Sequence, residues 1–432
     1  METNYETRII NYALKTTGYY PLRAIQLWTI DSHFNKVNST MMNIGALLKL
    51  PPEIDLNRLA QAFNDTLKAY DIFRCRLVFH PETSDICQRF DGELVPVSVE
   101  KISDEEFEER KKILMQPYPL INKPLYRCYI FETPTAQYLY LDFYHAIIDG
   151  MALTVLFWGE INSRYKGKKI TRQPLNYADY ILDELRVSPE ELAEGNKFWN
   201  DTLKDFDEKK HLPPVDIENV ETWQSETLFA TLKNITQKYF SESKRKEHIF
   251  FLGASMLAIA KSAGSKSAIM DWVHNGRYTA QERRLMGAML EQFPIRYDFE
   301  DKESVKVFLD SLEIKMNSGI KYHRSLSTAY NSGLQEICAT FIFQKRNLGA
   351  LNTMMMGGYP AEIIELPPNE WSSVENTLDI EVNLNDDGTY LVEYSYDASR
   401  YSETAIKNFA ATLDEIVLQL QDEQKLIFEI LQ

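Results

Sequence analysis

The chain has 432 residues, 44% apolar and 25% charged, with a formal net charge of -16. That length exceeds one small core and predicts two or three domains, and the composition excludes a disordered chain. The acidic balance disfavours nucleic acid, whose phosphates it would repel, and the longest apolar run, Ile249 to Ala260, is too short to span a bilayer.

The N-terminus carries Glu2 and Glu6 and no apolar stretch behind a basic start, so no secretory leader is read there. Cys75, Cys87, Cys128 and Cys338 are scattered without any Cys-x-x-Cys, which suggests neither a disulfide framework nor a zinc site. A reducing cytoplasm is the expected location, with no membrane and no nucleic acid as partner.

Helix and strand signals alternate through the first half. Asp55 is an N-cap for a helix with Leu56, Leu59, Phe63 and Leu67 at helical spacing. Ser103 and Glu106 form a capping box before Phe107. Strands are predicted at Leu125–Phe131 and Gln137–His145, then a helix from near Met151 to Gly167. The basic stretch Lys166, Lys168, Lys169 and Arg172 reads as a solvated loop after that helix. Ser188, Pro189 and Glu191 open the next helix, and a second unit is expected to begin here, giving lobes of residues 1–183 and 184–432. The second half repeats the alternation: a buried helix from Ile249, strands at 267–275 and 339–346, a hairpin turning at Asp387-Gly388, and a final helix from near Ser402. With no glycine-rich phosphate loop, the fold class is mixed α/β, α+β in its sheets, and not a nucleotide binder.

His145 ends an alternating strand. Leu139, Leu141, Phe143 and His145 share one face; Tyr138, Tyr140, Asp142 and Tyr144 share the other. An imidazole at the end of an apolar face is partly dry and stays neutral at pH 7, as a general base must. A metal site lacks ligands, because Asp142 points to the opposite face and only Asp149 remains near. No Gly-x-Ser-x-Gly marks a serine triad. Asp149, before a helix N-terminus, is placed to cap it, and Gly150 would allow positive φ or a close backbone approach. A weaker echo, "LVEYSYDASRYS" in the second half, puts Asp397 in the histidine's place. It suggests two lobes of similar design with the chemistry in one.

The stretch His145-x-x-x-Asp149-Gly150 resembles the signature of nonribosomal peptide synthetase condensation domains, within the chloramphenicol acetyltransferase-like acyltransferases. The likeness continues in order through "YPLRAIQLW" with its Ala-x-Gln, "YDIFRCRLVF" with Arg74, "NYADY", "NKFWNDTL", "NGR" with Arg277, "MGAMLEQFPIR" and the closing hairpin. It implies two lobes in a V, a pseudo-dimer with a tunnel reaching His145 from both faces. It implies amide formation between a phosphopantetheine-thioester acyl or peptidyl donor and an amine acceptor. His145 would be the catalytic residue, as base or positioner, with backbone N–H groups near Gly150 as oxyanion donors. Asp149 would be structural, paired with Arg277 or, second, Arg74. Carrier proteins and small-molecule substrates are the implied partners; no bound cofactor is expected, and the chain is expected as a monomer.

The departures are specific. Tyr144 replaces the first motif histidine, on the face away from His145. Met289–Gln292 replaces Phe-Val-Asn-Thr, so Glu291 and Gln292, with Gln344, are the substrate-tunnel candidates. His323 lacks its usual Gln-Asp neighbours. Three further readings follow: an acyltransferase to a free small acceptor from acyl-CoA or an acyl-carrier, a non-catalytic carrier-docking domain, and an epimerising relative using Glu291 or Glu381.

Overall fold

The computed structural model describes residues 18–35, 39–171, 173–185, 187–204, 211–217, 225–326, 339–346, 353–366 and 377–432. Arg172 and Cys338 lie outside the described residues. Two units are present, residues 1–187 with 275–290 and 351–372, and residues 188–274 with 291–350 and 373–432. The path is thus less simple than one cut near residue 183. Two short stretches of the second half return to the first unit because their pairing partners lie there. Tyr359–Ile364 pairs antiparallel with Asn43–Leu50, and Arg277 bonds Asp149.

The first unit holds a mixed sheet in the spatial order Thr353–Met356, Tyr359–Ile364, Asn43–Leu50, Gln137–Tyr144, Tyr126–Glu132, Val99–Lys101. The strand leading to His145 is therefore central. It pairs antiparallel on both sides, Asn43 facing Tyr144 and Tyr126 facing Phe143. Its alternation sorts its side chains as the sequence predicts. Leu139, Leu141 and Phe143 join the main core with Leu59, Phe63 and Phe157. Tyr140 packs in a second cluster with Leu47, Phe107 and Phe131. The helix Leu56–Ala69 forms because Asp55 accepts from the Arg58 N–H and one face is apolar. Gly45 faces Asp142 across the sheet, where a Cβ would lie 1.9 Å from the Leu141 carbonyl oxygen. Only glycine fits there without moving the central strand.

The second unit holds another mixed sheet, in the order Ser225–Thr231, Tyr390–Asp397, Leu378–Leu384, Ala339–Gln344, Ser267–His274, Glu291–Asp298. Ala339–Gln344 runs parallel to both of its neighbours. The helix Glu247–Ala263 is buried from Ile249 to Ala260 and packs beside Glu403–Gln419 and Val305–Lys321. A helix apolar all round is buried all round, which its sequence announced. The helix Pro189–Leu203 starts as predicted, with Ser188 accepting from the Glu191 N–H, and the closing hairpin turns at Gly388 with φ +80.

The internal echo has a structural counterpart. In the first unit the His145 N–H donates to the Met42 carbonyl, just ahead of the paired strand Asn43–Leu50, at 2.8 Å. In the second unit the Asp397 N–H donates to the Thr377 carbonyl, just ahead of the paired strand Leu378–Leu384, at 3.2 Å. Asp397 then spends its carboxylate locally, accepting from the Ser399 N–H and hydroxyl at 2.9 and 2.6 Å. The second copy is a closed turn. Among the described residues, no helix is long and apolar enough to cross a membrane.

Candidate active site

His145 follows the last residue of its strand, and a turn separates it from the next helix. The adjoining backbone is held from both sides. Its own N–H is bonded to Met42, and the Ala146 carbonyl accepts from Gln26 Nε2 at 2.9 Å. Gln26 is itself locked to Gln88 by reciprocal amide bonds of 2.9 and 2.8 Å. Both glutamines are fully buried, so this pair fixes the histidine turn without solvent competition. The sequence displayed Gln26 in its Ala-x-Gln stretch, but nothing local assigned it a role; Gln88 carried no signal at all.

The His145 ring is half-buried. Its Nδ1 is buried and has no hydrogen-bond partner among the described residues. Burial pushes the imidazole below its ordinary range; the His145 backbone and the Asp149 carboxylate oppose this and do not outweigh it. The ring is therefore neutral at pH 7, with a basic nitrogen uncommitted to the fold.

Asp149 is 2% exposed and is a junction. Its Oδ1 accepts from the Ala152 N–H at 2.7 Å, capping the helix that begins at Gly150. Its Oδ2 accepts from Arg277 Nη1 and the Met289 N–H, each at 2.7 Å. Arg277, 5% exposed, also donates to the carbonyls of Asn275 and Gly287 at 3.0 and 3.1 Å. The aspartate thus acts on the loop and on the incoming 275–290 segment, and the helix opening widens to π geometry over Ala152–Phe157. Arg74 does not reach it; its Nη1 donates to the Gly92 carbonyl at 3.3 Å.

Gly150 departs from expectation. Its φ is not positive, and a Cβ built there would meet nothing within 4 Å. It is the first residue of the helix and exposed, so helical backbone needs no glycine at that point. The demanding glycine is Gly287, with φ +155 and a would-be Cβ 2.4 Å from the Tyr177 ring. Tyr177, from the "NYADY" stretch, donates its hydroxyl to the Ala288 carbonyl at 2.7 Å. Arg23 donates to the same carbonyl at 2.9 Å while forking onto Glu184 at 2.7 and 2.9 Å.

Tyr144 packs in the main core. It is 1% exposed, donates to the Thr29 carbonyl at 2.7 Å and meets Tyr118 edge-on. Asp142 is fully buried, paired with Arg127 at 3.0 Å and Asn43 at 3.1 Å. Burial pushes its carboxyl up to about 6 despite Arg127. Glu291 and Gln292 are buried at the start of a second-unit strand, Glu291 facing His274, and Gln344 ends another strand of that unit.

Comparison with known proteins agrees with this geometry. The profile of the family described as "Condensation domain" matches residues 16–426. Tyrocidine synthase 3 of Brevibacillus parabrevis is 22% identical over 313 residues, 71% of this chain and 5% of that protein. The nonribosomal peptide synthetase atnA of Emericella nidulans is 23% identical over 424 residues, 94% of this chain and 5% of that protein. The chain thus spans about a twentieth of the length of these curated relatives. Among solved structures, the condensation domain of the Monacolin K polyketide synthase MokA superposes with a TM-score of 0.74 at 16% identity, covering 95% of this chain and 99% of that one. The X-domain from teicoplanin biosynthesis gives 0.75 at 14% identity, covering 94% and 96%. The fold is that of these two-lobed proteins, and the chain belongs to the condensation domain family.

Proposed function

We propose that the chain is a condensation-type acyltransferase that joins a thioester-borne acyl or peptidyl group to an amine. In this reading the donor is carried on phosphopantetheine. The amine nitrogen bonds to the thioester carbonyl carbon, the carbon–sulfur bond breaks, the sulfur leaves as a thiol, and the amine gives up one proton. A thioester is already activated, so the protein's task is to hold two reactants, move that proton and steady the oxyanion. The observation that carries the reading is His145 itself: a neutral imidazole with an unengaged Nδ1, on a turn anchored by Met42, Gln26 and Asp149. The ring's Nδ1 takes no part in that network, which leaves it available to a substrate. Tyr144 in place of the first motif histidine leaves this unaffected, because its side chain serves the core.

The test is His145→Ala, assayed by mass spectrometry of products from an acyl-loaded carrier and an amine. A loss of about 10²-fold or more is expected. The wild-type rate should rise with pH and level off from an apparent pKa below the ordinary histidine value. Product formation no faster than the uncatalysed background in wild type, and unchanged in His145→Ala, would favour a non-catalytic docking domain. Ester formation from an alcohol, or transfer from acyl-CoA to a free acceptor, would favour the small-acceptor variant of the same chemistry.

A further inference from the structure

One face of the second unit's sheet gathers acids. Phe343 stacks on Phe251 of the helix Glu247–Ala263, ring centroids 6.0 Å apart. Thr340 and Ile342, of opposite parity in the same strand, therefore face away from that helix. The register carries this face across neighbouring strands. Thr340 pairs with Asp271 on one side and Asp379 on the other. Two residues on, Ile342 pairs with Glu381, and Glu381 with Glu393. We propose that this face binds an aliphatic diamine as its diammonium ion, one ammonium held by Asp271, Thr340 and Asp379 and the other by Glu381 and Glu393, with the methylene chain over Ile342. The inference does not depend on the transfer reading, because it concerns binding alone.

Three observations carry it. The first is an unmet demand inside the row. Thr340 is 2% exposed and Asp271 6%, and neither Thr340 Oγ1 nor Asp271 Oδ1 has a hydrogen-bond partner among the described residues. Buried polar atoms are ordinarily satisfied, and an orphan is costly. A primary ammonium brings three N–H donors on one atom, which matches a hydroxyl set between two carboxylates. The second is charge. The strands Ser225–Thr231, Tyr390–Asp397, Leu378–Leu384, Ala339–Gln344 and Ser267–His274 contain no lysine or arginine. Arg296, on the sixth strand, is paired with Asp298 at 3.1 Å and donates to the Lys204 carbonyl, and Asp397, on the face of Glu393, is taken by Ser399. The stretches 327–338, 347–352 and 367–376, which adjoin these strands in sequence, contain no lysine, arginine or histidine. The acids act on one another instead. Burial and then Asp379 push Asp271 up to about 8, burial and then Glu393 push Glu381 up to about 7, and burial raises Glu393. A cation is the partner that relieves such a set.

The third is spacing, which separates an organic cation from a metal ion. A hard metal ion needs its oxygen ligands gathered around one point. Among the described residues, no three of these acids bring their oxygens within 4.8 Å of one another. They form two rows instead, two residues apart along the strands, which is about 6.5 Å. The two ammonium groups of an extended 1,4-diaminobutane lie a similar distance apart. Ile342, half-buried beside Glu381, offers apolar surface to the chain that joins them. Acids at both ends favour two charges on one chain over either charge alone.

The experiment is titration calorimetry of the full chain with 1,4-diaminobutane, 1-aminobutane, 1,4-butanediol and calcium ion. Wild type is expected to bind the diamine saturably, about tenfold or more tightly than the monoamine, and the diol not at all. Binding draws protons off Asp271 and Glu381 while the diamine keeps both charges. Affinity should therefore rise from about pH 6 to about pH 8, and the heat near neutrality should vary with the ionisation enthalpy of the buffer. Asp271→Asn and, separately, Glu381→Gln should each remove the preference for diamine over monoamine, and Thr340→Val should weaken it. Both amide variants relieve a raised carboxyl, so thermal unfolding no lower than that of wild type shows each folded. The inference is overturned by the absence of saturable diamine binding, by equal affinity for diamine and monoamine, or by a preference that survives Asp271→Asn. Calcium bound more tightly than the diamine, at a site that Asp271→Asn loses, would overturn it in favour of a metal site.

Discussion

Arg277→Ala should be strongly destabilising, and its cost follows from the bonds it breaks. The guanidinium is buried against a buried carboxylate, with side-chain exposures of 0% and 3%. Removing it leaves Asp149 Oδ2 with only the Met289 N–H and strips donors from the carbonyls of Asn275 and Gly287. Breaking a buried pair by deleting one partner costs about 3–5 kcal/mol. That is a large share of the ~5–15 kcal/mol that holds an ordinary domain together. Asp149→Ala should cost a similar amount, because it strands the guanidinium and also removes the cap on Ala152, worth about 1 kcal/mol. The double variant should cost less than the sum of the singles, with a coupling of about 2–3 kcal/mol. Urea unfolding followed by tryptophan fluorescence is suited to the measurement, because Trp158 lies in the same unit, bonded to the Met355 carbonyl at 3.0 Å. A cost for Arg277→Ala under about 1 kcal/mol, or coupling near zero, would refute the view that this pair closes the 275–290 segment onto the histidine loop.

Two further predictions concern the second unit. Asp271 is 6% exposed, and burial followed by Asp379 pushes its carboxyl up to about 8. A carboxyl raised in the folded state favours folding while protonated, so its contribution is complete below about pH 4 and is lost as pH rises towards 8. Asp271→Asn should flatten the thermal stability profile over that window and be the more stable protein at pH 8, by on the order of a few kcal/mol. A residual slope belongs to Glu381, pushed up to about 7 by burial and then by Glu393; parallel profiles would contradict the assignment. Gly195→Ala would place a Cβ 2.0 Å from Ser325 Oγ where the helix Pro189–Leu203 crosses the His323–Ser325 turn. Overpacking of about 1–3 kcal/mol should outweigh the helix propensity gained, about 1 kcal/mol. Restoration by Ser325→Gly in the double variant, read from the urea midpoint, checks that contact.

The sequence by itself determined the elements and their faces. Periodicity, caps and turns are local, so Asp55, Ser103, Ser188 and Ser402 mark helix starts that the structure reproduces, and the alternation from Tyr138 to Leu141 sorts the two sides of the central strand, while Tyr144 at its end joins the main core. It also singled out His145 and Asp149, because a histidine and an aspartate at a strand-to-helix junction are legible from spacing alone. Tertiary structure decided what holds them. The Gln26–Gln88 pair, the Arg277 and Met289 bonds to Asp149, and Gly287 against Tyr177 join positions 62 to 140 residues apart. Gly150, by contrast, looked demanding in the motif and proved permissive in space. Hydrogen bonds and steric limits between distant segments leave no periodic trace in a single sequence; they exist only once the sheets have brought those segments together.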